Sequence, residues 1–290
     1  VEETVHDRRP GGGWVQRHPV ASFVALTFVL TWSLWLLPLL EVHGYIRDAP
    51  DWWGLGSFGP SLAALILSLW IGGGREAGDL GRAVIRWRVP ARWYATAVIL
   101  PMGLALPALL VGGAGGAGLA LSDLPGPAAL LALFLQILFL GGPLNEELGW
   151  RGFALPRLQR RYGALGASLL VGTIWGVWHL PLFWLGAPGY TTLPFGLYLL
   201  NTLALSVVFT WLFNGTRGSV LMAILVHATF NTTNWTLLQL LDEAAAERAS
   251  LAYVLTIAAF ALVLLLRYGP RSLSAEPEPV VHLSPAGDRA

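Results

Sequence analysis

Cysteine is absent from the 290 residues, so disulfides, thiolate metal ligands and a cysteine nucleophile are all excluded. Lysine is absent as well, since every one of the 18 basic residues is arginine, and with it goes a serine–lysine dyad. Charge of either sign is scarce: 12% of the chain is charged against 55% hydrophobic, and the mean hydropathy is +0.60. A single soluble core of this length does not bury that much apolar surface, so the chain needs lipid as a solvent. Membrane lipid is therefore the first expected partner, and no nucleic acid is expected.

What is present is a series of apolar runs. A helix needs roughly 20 residues at about 1.5 Å each to cross about 30 Å of hydrocarbon. About eight runs meet that need: Ala21–Leu40, Gly54–Ile71, Trp93–Val111, Ala128 to about Arg157, Ala164–Leu185, Leu193–Phe213, Val220–Leu241 and Leu251–Leu266. Glycine and proline punctuate them, as at Gly72-Gly73-Gly74 and Pro125-Gly126-Pro127. The expected fold class is all-α, a polytopic membrane protein with a transmembrane domain over 20–268. Residues 1–19 are polar, and no small-residue cleavage site lies behind the first run, so they read as a retained tail and not a signal peptide. Residues 269–290, with Pro277, Pro279 and Pro285, read as a disordered tail.

Arginine placement orients the bundle, because cytoplasmic loops collect positive charge. Arg8, Arg9 and Arg17 precede the first run, Arg75 to Arg92 separate the second from the third, Arg157, Arg160 and Arg161 follow the fourth, Arg217 joins the sixth to the seventh, and Arg267, Arg271 and Arg289 follow the eighth. Only Arg47 and Arg248 fall on the other side, among Glu41, Asp48, Asp51, Asp242, Glu243 and Glu247. Both termini are thus expected in the cytoplasm. Arg75–Pro90 reads either as an amphipathic helix on the inner leaflet or as an ordinary basic loop.

An ionisable group at the bilayer centre costs at least ~2.5 kcal/mol and so needs a reason. Glu146 and Glu147 are the only acids expected at that depth, and His179 and His227 the only histidines. On a helix Glu147 and Arg151 are i and i+4 and can pair, while Glu146 points about 100° away. Pro143 is expected to break the backbone just before them, which lipid tolerates only beside protein or a wet cavity. His227 and Asn231, again i and i+4, share a helix face. His227 lies about 12 Å from Ser219 and His179 about 20 Å from Gly166, so they share a site if the fifth run begins outside the hydrocarbon and the fourth continues past Glu146 to Leu155 or Arg157. The site is expected in the inner half of the bilayer, open to the cytoplasm. Gln136 and Asn201 read as interhelical hydrogen-bonders or cavity-lining residues.

The chain has no His-Glu-x-x-His, no Gly-x-Ser-Gly and no aspartate at membrane depth, so the usual zinc, serine and aspartyl signatures are missing. The ordered set Glu146-Glu147-x-x-x-Arg151, Trp175-x-x-x-His179 and His227-x-x-x-Asn231 resembles the CAAX-protease and bacteriocin-processing (CPBP, or Abi) family, over about 128–240. That family includes the eukaryotic type II CAAX prenyl endopeptidase. Trp175 departs from its usual phenylalanine. The resemblance implies an intramembrane endopeptidase in which Glu146 and His179 activate a water while His227 and Asn231 hold the oxyanion. Glu147, Arg151 and Trp175 would support the site. The family's metalloprotease label implies a rival version, with zinc on His179, His227 and Glu146. The metal-free version is favoured, since Asn231 is a poor zinc ligand and a good oxyanion donor.

The expected substrate is a membrane-associated peptide or protein cut near the cytoplasmic face. An arginine-, alanine- and glycine-rich composition without lysine suggests the plasma membrane of a bacterium with a G+C-rich genome, where prenylated substrates are not expected. The alternatives are a non-proteolytic scaffold or immunity factor of the same fold, and a proton-coupled transporter. No repeated halves or matched broken helices favour the transporter.

Overall fold

In lipid a backbone satisfies its own hydrogen bonds only as a helix or a closed barrel. The computed structural model describes residues 13–49, 53–114, 121–187 and 189–275, and its regular elements there are all helical. Of the tails expected over 1–19 and 269–290, residues 1–12 and 276–290 lie outside the described residues, as do Asp51, Arg8, Arg9 and Arg289. A short α1 (Trp14–Arg17) leads into α2 (Pro19–Val42), followed by α3 (Gly59–Val84) and α4 (Ala91–Gly113). Next come α5 (Pro127–Leu140), α6 (Pro143–Glu147), a wider π-type turn over Leu148–Ala154, and α7 (Leu155–Trp178). The chain closes with α8 (Leu180–Trp184), α9 (Phe195–Gly215), α10 (Val220–Gln239) and α11 (Glu243–Tyr268).

Six stretches are long and apolar enough to cross a bilayer: Pro19–Val42, Gly54–Val84, Ala91–Gly113, Pro127–Trp184, Phe195–Gly215 and Glu243–Tyr268. This is an integral membrane protein of the all-α class. Outward-facing apolar side chains such as Trp70 (70% exposed), Leu110 (75%) and Leu266 (78%) are the surface that lipid covers. Two departures separate these six stretches from eight expected runs. First, α10 is missing from the six, because its middle carries His227, Thr229, Asn231, Thr232, Thr233 and Asn234, which lower its hydropathy. It is nonetheless a central helix, buried at Val220, Met222, Ile224, Val226 and Phe230.

Second, Pro127–Trp184 counts as one stretch of 58 residues although it folds back on itself. Gly163, at φ 68° and ψ 178°, interrupts α7 with a conformation open only to glycine. An unbroken helix would hold residues 146 and 175 about 43 Å apart; instead the Trp175 Nε1–H donates to Glu146 at 2.6 Å. The bend therefore makes a hairpin, with Glu146 on one arm and Trp175 on the other.

The expected basic segment Arg75–Pro90, after Gly72-Gly73-Gly74, is partly helical. Gly73, at φ 62°, breaks α3, and the helix resumes to Val84, with Leu80 buried against the π-type turn and Glu76 paired to Arg157. It is docked on the bundle through Leu80 and Glu76, which neither of the two readings of Arg75–Pro90 foresaw.

Loops rich in arginine gather at one end of the bundle. Ser219 donates to the Arg86 carbonyl at 2.7 Å, tying the α9–α10 turn to the segment before α4. Asn214 donates to Gln159 and to the Ser272 carbonyl at 2.7 and 2.6 Å. The amides of Ala164 and Leu165, just past the bend, donate to Arg271 and Pro270 at 2.8 and 2.9 Å. At the opposite end, Gly112 of α4 lies against Leu241 beyond α10, and Gly189 against Trp235.

Candidate active site

The site begins where the fourth apolar run breaks. The break falls at Gly142, one residue before the expected Pro143, because Pro143 occupies the first turn of α6, where it has no amide hydrogen bond to lose. Gly142 has φ 110°, and a side chain there would also run into the Glu146 carboxylate. The Glu146 amide donates back to the Gly142 carbonyl at 2.8 Å. Beyond Glu147 the backbone widens into the π-type turn, a local irregularity often found at functional sites.

This geometry sends the two glutamates to different neighbours. Glu147 Oε1 accepts from Arg151 Nη1 at 2.8 Å and from His227 Nδ1 at 2.8 Å. The side chains of Glu147 and Arg151 are completely buried. The Arg151 guanidinium also lies over the rings of Trp175 and Phe209, with centroids at 4.9 and 4.7 Å. The expected i, i+4 pair is present, and the structure adds a third member, His227, from another helix. That contact had no signal in the sequence, since helical periodicity relates only residues of the same helix.

Glu146 faces the other way. Its Oε2 accepts the Trp175 indole N–H at 2.6 Å, a bond that a phenylalanine at this position does not make. The Trp175 carbonyl in turn holds His179 Nδ1 at 2.8 Å. A carbonyl only accepts, so His179 Nδ1 carries the hydrogen, and in the neutral ring Nε2 keeps the lone pair. The Trp175 ring stands edge-on to His227, with centroids 5.3 Å apart. Trp175 thus joins Glu146, His179 and His227, a role that its aromatic character alone did not announce.

Glu146, His179, His227 and Asn231 all line one cavity of about 520 Å³, a usual size for a ligand site. Gln136 and Asn201 line it too, while Glu147 and Arg151 are packed behind it. Three lining residues escaped the sequence reading. Tyr190 stacks on His179 with centroids 5.6 Å apart, Tyr198 meets its edge at 5.4 Å, and Asn234 sits one turn beyond Asn231. A loop tyrosine carries no depth or periodicity signal, so Tyr190 was not legible.

The cavity does not lead where the sequence predicted. At about 1.5 Å per residue, His227 is about 12 Å from Ser219 and Trp175 about 18 Å from Gly163. Lining residues lie at that level or beyond it, including Trp35, Tyr198, Trp235 and Ser250. On the arginine side of the floor, Trp150, Phe153, Leu155, Phe213, Val220 and Met222 are no more than 1% exposed. The expected opening toward the arginine-rich loops is closed by this dry packing, and the void extends to the other end.

Residues 128–233 match the family described as type II CAAX prenyl endopeptidase Rce1-like. Over 106 residues the chain is 35% identical to "CAAX prenyl protease 2" of Methanococcus maripaludis, an alignment that takes in 34% of this chain and 39% of the relative. The chain thus spans well under half the length of the curated relative it matches. The resemblance to the CAAX-protease family drawn from the ordered motifs holds over this stretch. All seven motif residues, from Glu146 to Asn231, fall inside 128–233.

Proposed function

We propose that this protein is an intramembrane endopeptidase that cuts a membrane-associated peptide or protein with a water activated by Glu146 and His179. The observation that carries this reading is the convergence of Glu146, His179, His227 and Asn231, from three helical segments, on one cavity at membrane depth. Glu146, fixed by Trp175, takes a proton from water as the oxygen attacks the scissile carbonyl, then passes it to the leaving amine. His179 accepts the water's other hydrogen through Nε2, since its Nδ1 is held by the Trp175 carbonyl. The Asn231 carboxamide and His227 Nε2 donate to the oxyanion, an interaction worth roughly 10²–10³ in kcat per donor. With Nδ1 donating to Glu147, a proton on Nε2 makes His227 a cation that shares the single Glu147 carboxylate with Arg151 and so keeps positive charge for the oxyanion.

We favour a reaction without metal. Among the described residues no three His, Asp or Glu side chains are grouped to hold an ion. His227 Nδ1 and Glu146 Oε2 are engaged by Glu147 and Trp175. No step is therefore routed through zinc. The relative's name specifies prenylated substrates; for this chain we propose a bacterial plasma-membrane protein of eight spans, α10 and both arms of the Gly163 hairpin included, with its termini in the cytoplasm and an unprenylated substrate.

Cleavage of a membrane-tethered reporter by the wild type and by Glu146→Ala tests the reading. The variant should lose at least about 10²-fold in rate; equal cleavage by the two proteins would sink the proposal. Repeating the assay after exhaustive chelation should leave the wild-type rate unchanged, and loss restored by zinc would decide for the metal version.

A further inference from the structure

The cavity and the arginines lie at opposite ends of the same bundle, and this separation fixes the side from which the site is reached. Among the described arginines, Arg47 and Arg248 lie at the far end and Arg151 at mid-depth; the rest belong to the loops and helix ends that Ser219, Asn214, Ala164 and Leu165 tie together. By the charge bias of membrane insertion, that end faces the cytoplasm. From there to the floor of the cavity run about 12 Å of α10 and about 18 Å of the returning arm of α7, filled by the dry core around Trp150, Phe213 and Met222. A peptide backbone has no hydrogen-bonding partner in such packing and does not pass through it.

In the other direction the cavity adjoins a second recess across a shared wall. Gly189, Tyr190, Thr192, Leu193, Trp235 and Leu238 line the cavity and also a second recess, which reaches Glu243 and Glu247 at the start of α11. The loop over Gly189–Leu193 and the end of α10 therefore stand between the cavity and the acidic end of the molecule, which is where a passage would run. Tyr190 stands there and against His179 at once.

We infer that the site is entered from the non-cytoplasmic face, so that its substrate class is a membrane-bound chain whose scissile segment has already crossed the bilayer or is exposed at its outer leaflet. The word substrate rests on the endopeptidase reading; the side of entry rests on the cavity and the arginines alone. This replaces the cytoplasmic opening expected from the sequence, which placed the site in the inner half of the bilayer from the depth of its residues along their helices.

The natural absence of cysteine makes the test direct. Thr192→Cys at the passage, Asn234→Cys deeper in the cavity and Arg88→Cys on the arginine-rich loops are made singly in the full chain, and intact spheroplasts are treated with a membrane-impermeant maleimide. Thr192→Cys and Asn234→Cys should be labelled as fully before permeabilisation as after it, and Arg88→Cys only after it. Asn234→Cys or Thr192→Cys reacting only after permeabilisation overturns the proposal, as does Arg88→Cys reacting in intact spheroplasts. Labelling requires no catalysis, so this result stands apart from the reporter assay: correct labelling with no cleavage would remove the endopeptidase and leave the side of entry intact.

Discussion

The residue that most changes how the site works is Trp175. Its indole N–H fixes Glu146, its carbonyl fixes His179, and its ring packs between His227 and Arg151. Trp175→Phe keeps the ring contacts and the carbonyl but removes the bond to a carboxylate, which is worth about 1.5–3 kcal/mol. We expect kcat to fall roughly tenfold or more with KM little changed; an unchanged kcat would reduce the bond to packing. Glu147 and Arg151 act differently, as a buried pair behind the cavity. Glu147→Gln leaves the Arg151 charge uncompensated and should destabilise the fold by about 3–5 kcal/mol. Adding Arg151→Met to it should recover a large part of that loss, which thermal or denaturant unfolding in detergent would show as non-additivity. The sequence revealed this pair because i and i+4 meet on one helix; it did not reveal His227 as its third member, because that contact joins two helices.

At the scale of elements, two glycines decide where the proposed catalytic groups stand. Gly163 turns a 58-residue apolar stretch into a hairpin, and Gly142 separates α5 from the turn that carries the glutamates. Gly142→Ala forces a β-carbon onto a backbone at φ 110° and toward the Glu146 carboxylate. The backbone strain is of order 1–3 kcal/mol, and the expected outcome is near-complete loss of cleavage in a protein that still folds and purifies as a monodisperse detergent complex. Cleavage at the wild-type rate would mean that the break merely ends a helix. The sequence marked this region as irregular through Gly141-Gly142-Pro143, yet assigned the break to the proline, because it could not show that the proline begins a helix where its missing amide is harmless. Likewise α10 was legible as a run of sufficient length although its polar middle weakens its hydropathy, and that stretch is the one facing the cavity.

At the scale of the whole molecule, orientation and cavity direction are separate properties. Green fluorescent protein fused to the C-terminus should fluoresce and alkaline phosphatase fused there should be inactive, as the arginine bias requires. Active phosphatase would reverse the bundle and would carry the cavity mouth to the cytoplasm with it. The outer face, with residues such as Leu110 and Leu266 exposed at 75% and 78%, is held in lipid, while the charged groups of the described residues are confined to the site and the two ends.

The sequence by itself determined the helical membrane class, the charge pattern and the candidate residues of the site, for one physical reason. Lipid makes an unsatisfied backbone or a charged side chain expensive, so long apolar runs must be helices and the rare polar group at depth must have a use. Only the tertiary structure decided how those groups pair and where their cavity leads. Pairing between helices and the packing that closes one end of a void depend on which faces meet, and a linear pattern specifies faces without specifying partners. That is why Glu146, Glu147, His179 and His227 were legible as a set, while the Trp175 bond to Glu146, the Glu147 bond to His227 and the opening away from the arginines were not.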